Sequence, residues 1–320
     1  MLLRALFAKV FSDFEIIIID DGSTDNTVSI LEEFQARDNR IRFIKQSNNG
    51  VSSARNRAIN EPGKHRYVAF LDSDDVWHSW HLEKSIAVLE HELSVALVFG
   101  RRELIDSSGS WPSIKNLEHS DKYLDQLLLF SSPTSLEQVY IIESNKCYLE
   151  LFRSKFSPWT SSVVVRRDAI LRSNWFDTSL EVLEDVEFYL YVASLASFAL
   201  IDSYMGYYRR HSDNLTASSD LSSPITLRRQ RSVERFFKIK LGMCQNAEDR
   251  KIVSKEIAET TYIIGQCCGE QLDFASAKEA YLESLHYQLS LKSLKGYVIS
   301  SLPASVRFFL KKILTATAAI

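Results

Sequence analysis

The stretch Phe14-Glu15-Ile16-Ile17-Ile18-Ile19-Asp20-Asp21-Gly22-Ser23-Thr24-Asp25-Asn26-Thr27 decides how the rest of the chain is read. Four consecutive β-branched residues run straight into two carboxylates, a glycine and hydroxyl residues. An unbroken β-branched run suits a strand buried on both faces. The Asp-Asp-Gly-Ser segment stops that strand, and Thr24 or Asp25 is placed to cap a helix beginning near Asn26. In open α/β sheets, ligands bind beyond the carboxyl ends of parallel strands. Carboxylates delivered there can accept hydrogen bonds from a sugar or base, or ligate a metal.

The pattern repeats downstream. Val28, Ile30, Leu31 and Phe34 supply the apolar face of a helix, and Ile41 to Lys45 reads as a short strand. Asn48-Asn49-Gly50 is a turn, followed by a helix that opens at Ser52 or Ser53 and carries Arg55. Tyr67 to Leu71 is a buried strand, followed at once by Asp72-Ser73-Asp74-Asp75. A helix from Trp80 to His91 and a strand from Val95 to Phe99 come next. This alternation predicts an α/β fold whose mostly parallel sheet is flanked by helices. Residues 105–156 are less regular. A strand over Ser161 to Arg167, a helix over Glu184 to Ala196 and one or two strands over Phe198 to Arg210 complete this part. From Ile225 onward only helical patterns remain. The chain is therefore expected to divide into an α/β domain, 1–220, and an all-α tail, 221–320. Gly269, Ala277, Ala280 and Tyr281 give the tail one tetratricopeptide-like hairpin. Met1 to Val10 has the spacing of an amphipathic helix packed on the sheet, and the basic end Arg307 to Lys312 reads as a packed terminal helix.

Composition narrows the function classes. Of 320 residues, 45% are apolar and 25% charged, the profile of an ordinary globular protein. The net charge of −3 supplies no bulk attraction to nucleic acid, which excludes it as the expected partner. Cys147, Cys244, Cys267 and Cys268 show no paired C-x-x-C spacing, so neither a zinc site nor a disulfide framework is expected. No run approaches the ~20 apolar residues of a membrane span. The reduced thiols point to a cytoplasmic location, and the basic end offers peripheral contact at the inner face of the cell membrane as the less favoured alternative to a packed helix.

Polar groups at or beside the predicted strand ends form the candidate site: Asp20-Asp21, Arg55, Asp72-Ser73-Asp74 and Glu184-Asp185. A D-x-D at a strand end can bind Mg²⁺ or Mn²⁺ while leaving coordination positions for substrate phosphates. Arg55, at a helix start, can neutralise phosphate charge. A separate carboxylate can serve as a general base. His78 and His81 follow the D-x-D closely and are read as surface histidines, not as zinc ligands.

Taken in order, these pieces resemble the family 2 glycosyltransferases of GT-A fold. The resemblance rests on Asp20-Asp21-Gly22-Ser23-Thr24-Asp25, Asn49-Gly50-Val51-Ser52-Ser53-Ala54-Arg55-Asn56 and Phe70-Leu71-Asp72-Ser73-Asp74-Asp75. It continues in Glu184-Asp185-Val186-Glu187-Phe188 and Tyr208-Arg209-Arg210-His211. It implies inverting, metal-assisted transfer of a sugar from a nucleotide-diphosphate donor to a glycan or lipid-linked acceptor, in polysaccharide biosynthesis. Carried over residue by residue, Asp21 matches the position that binds the base, with Asp20 beside it. Arg55, Asp72 and His211 match donor-binding positions, Asp74 the direct ligand of Mg²⁺ or Mn²⁺, and Asp185 the catalytic base. The acceptor is expected near Trp159-Thr160 and residues 105–156. The family's Val-Ile-Pro-Tyr-Asn-like first strand is missing ahead of Met1, so an N-terminally truncated member is expected. The other reading is a catalytically impaired scaffold or binding protein, with the helical tail taking a protein partner. A nucleotidyltransferase would need a Gly-rich, basic first loop, which the sequence does not contain.

Overall fold

The structure is a computed structural model of the chain, and it describes residues 12–106, 118–153, 156–172, 175–211 and 220–307. The expected helix over Met1 to Val10, the loop at Ser107 to Ser110 and most of the basic end at Arg307 to Lys312 lie outside the described residues. The chain divides into two compact units, Met1–Ser179 with Glu184–Asn214, and Leu180–Leu183 with Leu215–Ile320.

The first unit begins with β1 (Ile16–Asp20), α1 (Thr27–Arg37), β2 (Ile41–Lys45) and α2 (Val51–Asn60). β1 and β2 pair in parallel, Ile16 opposite Ile41, as a two-stranded sheet of their own. Ile16 to Ile19 are half-buried, so the run is less enclosed than its composition predicts. In place of a side-chain cap from the residue just ahead of α1, Asp25 Oδ1 accepts from the Thr27 amide at 3.0 Å.

A seven-stranded sheet follows. Its elements are β3 (Tyr67–Ala69), β4 (Val76–Trp77), α3 (His81–His91), β5 (Val95–Ile105), α4 (Glu118–Leu128), β6 (Ser132–Pro133) and β7 (Val139–Ile142). They continue through α5 (Ser144–Phe152), a 3₁₀ turn (Thr160–Ser162), β8 (Val164–Arg166), α6 (Arg167–Leu171), α7 (Glu184–Leu195) and β9 (Ser197–Arg209). The strand order is β3-β8-β5-β9-β7-β6, with β4 also paired to β9. β5 and β9 run parallel; the other pairings in this sheet are antiparallel. The α/β class with flanking helices therefore stands, but the sheet is mixed where a mostly parallel one was expected. The physical reason is β8, which enters between β3 and β5 against both of them and interrupts the crossover series. Val95, Val98, Val164, Ala199 and Ile201 fill the core between these central strands and α3, whose Val88 and Leu89 close it. Removing such side chains from water stabilises by roughly 25 cal/mol per Å² of apolar surface.

The second unit is helical: α8 (Pro224–Met243), α9 (Ala247–Glu270), α10 (Phe274–Tyr287) and α11 (Leu291–Ser301). Ser223, Asn246, Asp273 and Ser290 each cap a helix by accepting from a backbone amide in its first turn. Tyr281 is wedged between two glycines: a Cβ on Gly265 would lie 2.6 Å from its ring, and one on Gly296 2.5 Å. Gly269 has open space around it, so the close approach rests on Gly265 and Gly296 and not on Gly269. Leu180–Leu183 groups with these helices through Ser232, whose Oγ accepts from the Glu181 amide at 2.9 Å and the Val182 amide at 3.1 Å. Among the described residues, no helix is long and apolar enough to cross a membrane.

Candidate functional site

Asp20 ends β1 and Asp21 follows it, and the Asp21 side chain organises the loop that leads to α2. Asp20 is buried and its Oδ1 accepts from the Ser23 amide at 3.1 Å. Asp21 Oδ1 accepts from Gln46 Nε2 at 2.7 Å and the Asn49 amide at 2.9 Å; Oδ2 accepts from the Gly50 amide at 2.8 Å. Gly50 is the residue just ahead of α2, and its φ of 85° is a left-handed conformation that glycine adopts without a Cβ penalty. Gly22 has the same φ, and a Cβ there would lie 2.9 Å from the Asn48 nitrogen. Asp21 thus fixes where α2 starts, and α2 carries Arg55.

Arg55 is the centre of the cluster. Its Nη1 donates to Glu184 Oε1 at 2.7 Å and its Nη2 to Asp72 Oδ1 at 2.8 Å. The guanidinium lies 5.2 Å from the centre of the Phe176 ring, which stacks on Phe188 at 4.7 Å. Asn56, the next residue on α2, exchanges two backbone bonds with Phe176: Nδ2 donates to its carbonyl at 2.8 Å, and Oδ1 accepts from its amide at 2.9 Å. One helix turn therefore holds both the cation and the ring beneath it.

Asp185 follows Glu184 at the N-terminus of α7, where the helix dipole favours negative charge. Its Oδ2 accepts from Thr160 Oγ1 at 3.1 Å, and Thr160 in turn accepts from the Tyr189 hydroxyl at 3.0 Å. Burial and the neighbouring Asp185 push Glu184 up to about 7, against the opposing pull of Arg55. Burial also raises Asp185 above the usual aspartate range. One guanidinium faces Asp72, Glu184 and Asp185, so negative charge is in excess and the Glu184–Asp185 pair holds protons more tightly than exposed carboxylates do.

The D-x-D loop sits between β3 and β4. Asp74 Oδ2 lies 3.0 Å from His211 Nε2, and Arg209 Nε donates to the Asp74 carbonyl at 3.0 Å. Asp75 is the buried member: Trp159 Nε1 and Ser161 Oγ donate to its Oδ2 at 2.9 and 2.6 Å, and the Arg209 amide donates to Oδ1 at 3.1 Å. Burial pushes its carboxyl up to about 6. Among the described residues, no group of three or more His, Cys, Asp or Glu side chains is arranged to hold a metal ion.

Arg55, Asp72, Glu184 and Asp185 thus come together, and Asp74 pairs with His211. Asp20 and Asp21 stand at the head of the loop behind α2. Sequence reasoning did not single out Thr160 and Tyr189 as partners of Asp185, nor Asp75; Thr160 had been grouped with the acceptor region. Trp159 and Thr160 are both buried, which makes them supports of the carboxylates and not an open acceptor surface. His81 is corrected outright: it is fully buried, stacked on Trp77 at 4.5 Å, and both ring nitrogens lack a partner. Burial lowers it to about 3, so the ring is neutral. Its spacing from Ser85 and Val88, one helical face, is the signal that could have placed it inside.

Comparison with known proteins adds to this geometry. The family model described as glycosyl transferase family 2 matches residues 2–170, more than half of the chain. Chondroitin synthase of Escherichia coli is 38% identical over 102 residues, which are 32% of this chain and 15% of that protein. Other curated relatives are likewise matched over only part of their length, 38% in one Bacillus subtilis protein. Among solved structures, Staphylococcus aureus TarS 1–349 in complex with UDP superposes with a TM-score of 0.50 at 14% identity, covering 93% of this chain and 85% of that one. The mannosyltransferase PcManGT from Pyrobaculum calidifontis, in complex with GDP-Man and Mn²⁺, gives a TM-score of 0.52 at 12% identity, covering 93% and 79%. At those identities the superpositions speak for the fold, and the mixed sheet with flanking helices is the GT-A arrangement. The match of the family model over most of the first unit shows that the chain belongs to glycosyl transferase family 2.

Proposed function

We propose that the chain transfers a sugar from a nucleotide-diphosphate donor to a hydroxyl of a glycan acceptor, with inversion, using Asp185 as the general base. The observation that carries this reading is the carboxylate pair at the start of α7, buried against Arg55 and held by Thr160. A base needs affinity for a proton near the working pH, and burial gives Asp185 more of it than an exposed aspartate has. Asp185 takes the proton of the acceptor hydroxyl as that oxygen bonds to the anomeric carbon. The bond from that carbon to the diphosphate oxygen breaks on the opposite face, and its electrons leave with the nucleoside diphosphate.

The donor set fits a divalent cation. Asp72 and Asp74 supply hard oxygen ligands on one short loop, and Mg²⁺ or Mn²⁺ needs only one or two carboxylates when substrate phosphates complete its shell. Asp74, with Asp72 beside it, would hold such an ion, which when bound neutralises charge on the leaving diphosphate. Arg55 commits Nη1 and Nη2 to Glu184 and Asp72, so its charge reaches the donor through the orientation of Asp72. His211 stands against Asp74 and would complete the donor side, and Asp21, at the base-binding position by resemblance, would act through the loop it organises. Support for the donor class comes from the relatives: one solved neighbour holds UDP and another GDP-Man with Mn²⁺.

The test is Asp185→Asn, nearly isosteric and unable to accept the proton. Transfer from UDP- and GDP-sugars should fall ~10²-fold or more, the usual contribution of a positioned base. Binding of UDP or GDP, followed by calorimetry, should stay near that of the parent. Retained turnover would remove Asp185 as the base.

A further inference from the structure

The D-x-D loop and the base sit on separate elements, and transfer requires them at a fixed separation. Asp75 and Ser161 join them. Ser161 Oγ donates to Asp75 Oδ2 at 2.6 Å and accepts from the Asp72 amide at 3.1 Å, closing a ring across the loop. Trp159 Nε1 donates to the same Oδ2 at 2.9 Å, and Trp77 Nε1 donates to the Ser161 carbonyl. Between Trp159 and Ser161 lies Thr160, the residue that donates to Asp185. Asp75 Oδ1 accepts from the Arg209 amide at 3.1 Å, two residues before the His211 that faces Asp74. Asp75 and Ser161 are almost wholly enclosed, at 1% and 0% exposure.

We propose that Asp75 is a positioning residue: through Ser161, Trp159 and the Arg209 amide it holds the Asp72–Asp74 loop, the Asp185 support and the His211 strand end in one register. The proposal rests on the reading of Asp185 as base and of the D-x-D loop as the donor site. Asp75 itself touches neither donor nor acceptor. Its carboxylate is the shared acceptor of three donors that belong to two distant segments, and neither an amide nor an apolar side chain of its size can accept all three. A loop released by even ~1 Å loses the alignment of acceptor, anomeric carbon and leaving group, which can cost ~10² in rate.

The experiment compares Asp75→Asn, Ser161→Ala, the double variant and Trp159→Phe. Two readouts are used: hydrogen exchange of the unliganded protein, and Mn²⁺-dependent hydrolysis of UDP-glucose to UDP and of GDP-mannose to GDP, with water taking the sugar in place of the acceptor. In Asp75→Asn, exchange should quicken together at residues 72–75, 160–163 and 209. Turnover per folded molecule should fall ~10²-fold while donor KM moves less than ~3-fold. Ser161→Ala should fall ~10-fold or more, and the double variant should be no slower than Asp75→Asn, because both act through one bond. Trp159→Phe removes one donor and should cost least. Quickened exchange confined to 72–75, additive losses in the double variant, or lower thermal stability with unchanged turnover would each overturn the proposal. If Asp75→Asn fails to fold, Ser161→Ala decides, and undiminished turnover there overturns it. Asp185→Asn is run alongside. If it keeps turnover, or if the parent turns over neither donor, the base or donor reading fails by itself. The exchange pattern still decides whether Asp75 couples the three segments.

Discussion

Replacing Arg55 by Met removes the cation between Glu184 and Asp72 while keeping the apolar stem over Phe176. Arg55 and Glu184 are 11% and 10% exposed at their side chains, so their pair is a buried one; Asp72 at 37% is partly solvated. Breaking a buried pair by removing one partner costs ~3–5 kcal/mol, and the solvated Asp72 contact adds less than ~1 kcal/mol. The loss has a sign with pH. Glu184 stands at about 7 in the folded chain and 4.5 in its ordinary state, so the folded state binds the extra proton between those values. Folding stability therefore falls as pH rises through that window and is lowest above it. Arg55 opposes this rise, and without it Glu184 moves higher still. At pH 8 the variant must bury an unpaired carboxylate or take up a proton; at pH 5.5 Glu184 is already protonated in both proteins. The expected loss is ~3 kcal/mol or more at pH 8 and smaller by at least ~1 kcal/mol at pH 5.5. Urea unfolding followed by tryptophan fluorescence measures it cleanly. Trp77, Trp80, Trp111, Trp159 and Trp175 all fall in the first unit, so the signal reports that unit alone. Equal losses at the two pH values, or a loss under ~1 kcal/mol at pH 8, would refute the charge argument.

The pH profile of transfer follows from the same burial: the base works deprotonated, so kcat/KM should drop as pH falls on a limb above the usual aspartate range, because burial raises Asp185. A limb near ~4, the ordinary carboxylate range, would show that burial does not act on the base. Asp74→Ala should abolish the Mn²⁺-dependent part of UDP or GDP binding in calorimetry, and unchanged affinity would remove Asp74 as the cation's ligand. Gly22 and Gly50 share a φ of 85°, but only at Gly22 would a Cβ meet backbone, 2.9 Å from the Asn48 nitrogen. Gly50→Ala should cost ~1–3 kcal/mol by backbone strain alone and Gly22→Ala measurably more, and equal losses in urea unfolding would discount the clash.

How much of this was legible in the sequence depends on the range of the interaction. The strand at Ile16–Asp20, the helix at Val51–Asn60 and the loop at Asp72 to Asp75 are set by neighbouring residues, since β-branching, turn chemistry and helical spacing all act over a few positions. The motif residues could be named for the same reason. Short elements escaped: β6 has two residues and β7 four, too few to show a period, and they lay in the stretch read as irregular. α5, nine residues long in the same stretch, carries a readable face in Cys147 and Leu151, four apart.

What the sequence by itself determined was the inventory: an α/β region, a helical tail, and acidic groups at strand ends in the order of family 2. The tertiary structure alone decided how they are joined. β8 runs against both β3 and β5, and strand direction depends on how distant segments close on one another, not on local period. Arg55 reaches Glu184 across 129 positions, and Asp75 reaches Ser161 across 86 and the Arg209 amide across 134. No spacing rule spans such separations. His81 shows the same limit from the other side, because a histidine that looks exposed beside an acidic loop lies in the core once α3 packs on the sheet. The Ile16–Asp20 strand announced acidic groups at its carboxyl end; which of the later side chains stand against one another was decided by contacts made when the chain closed.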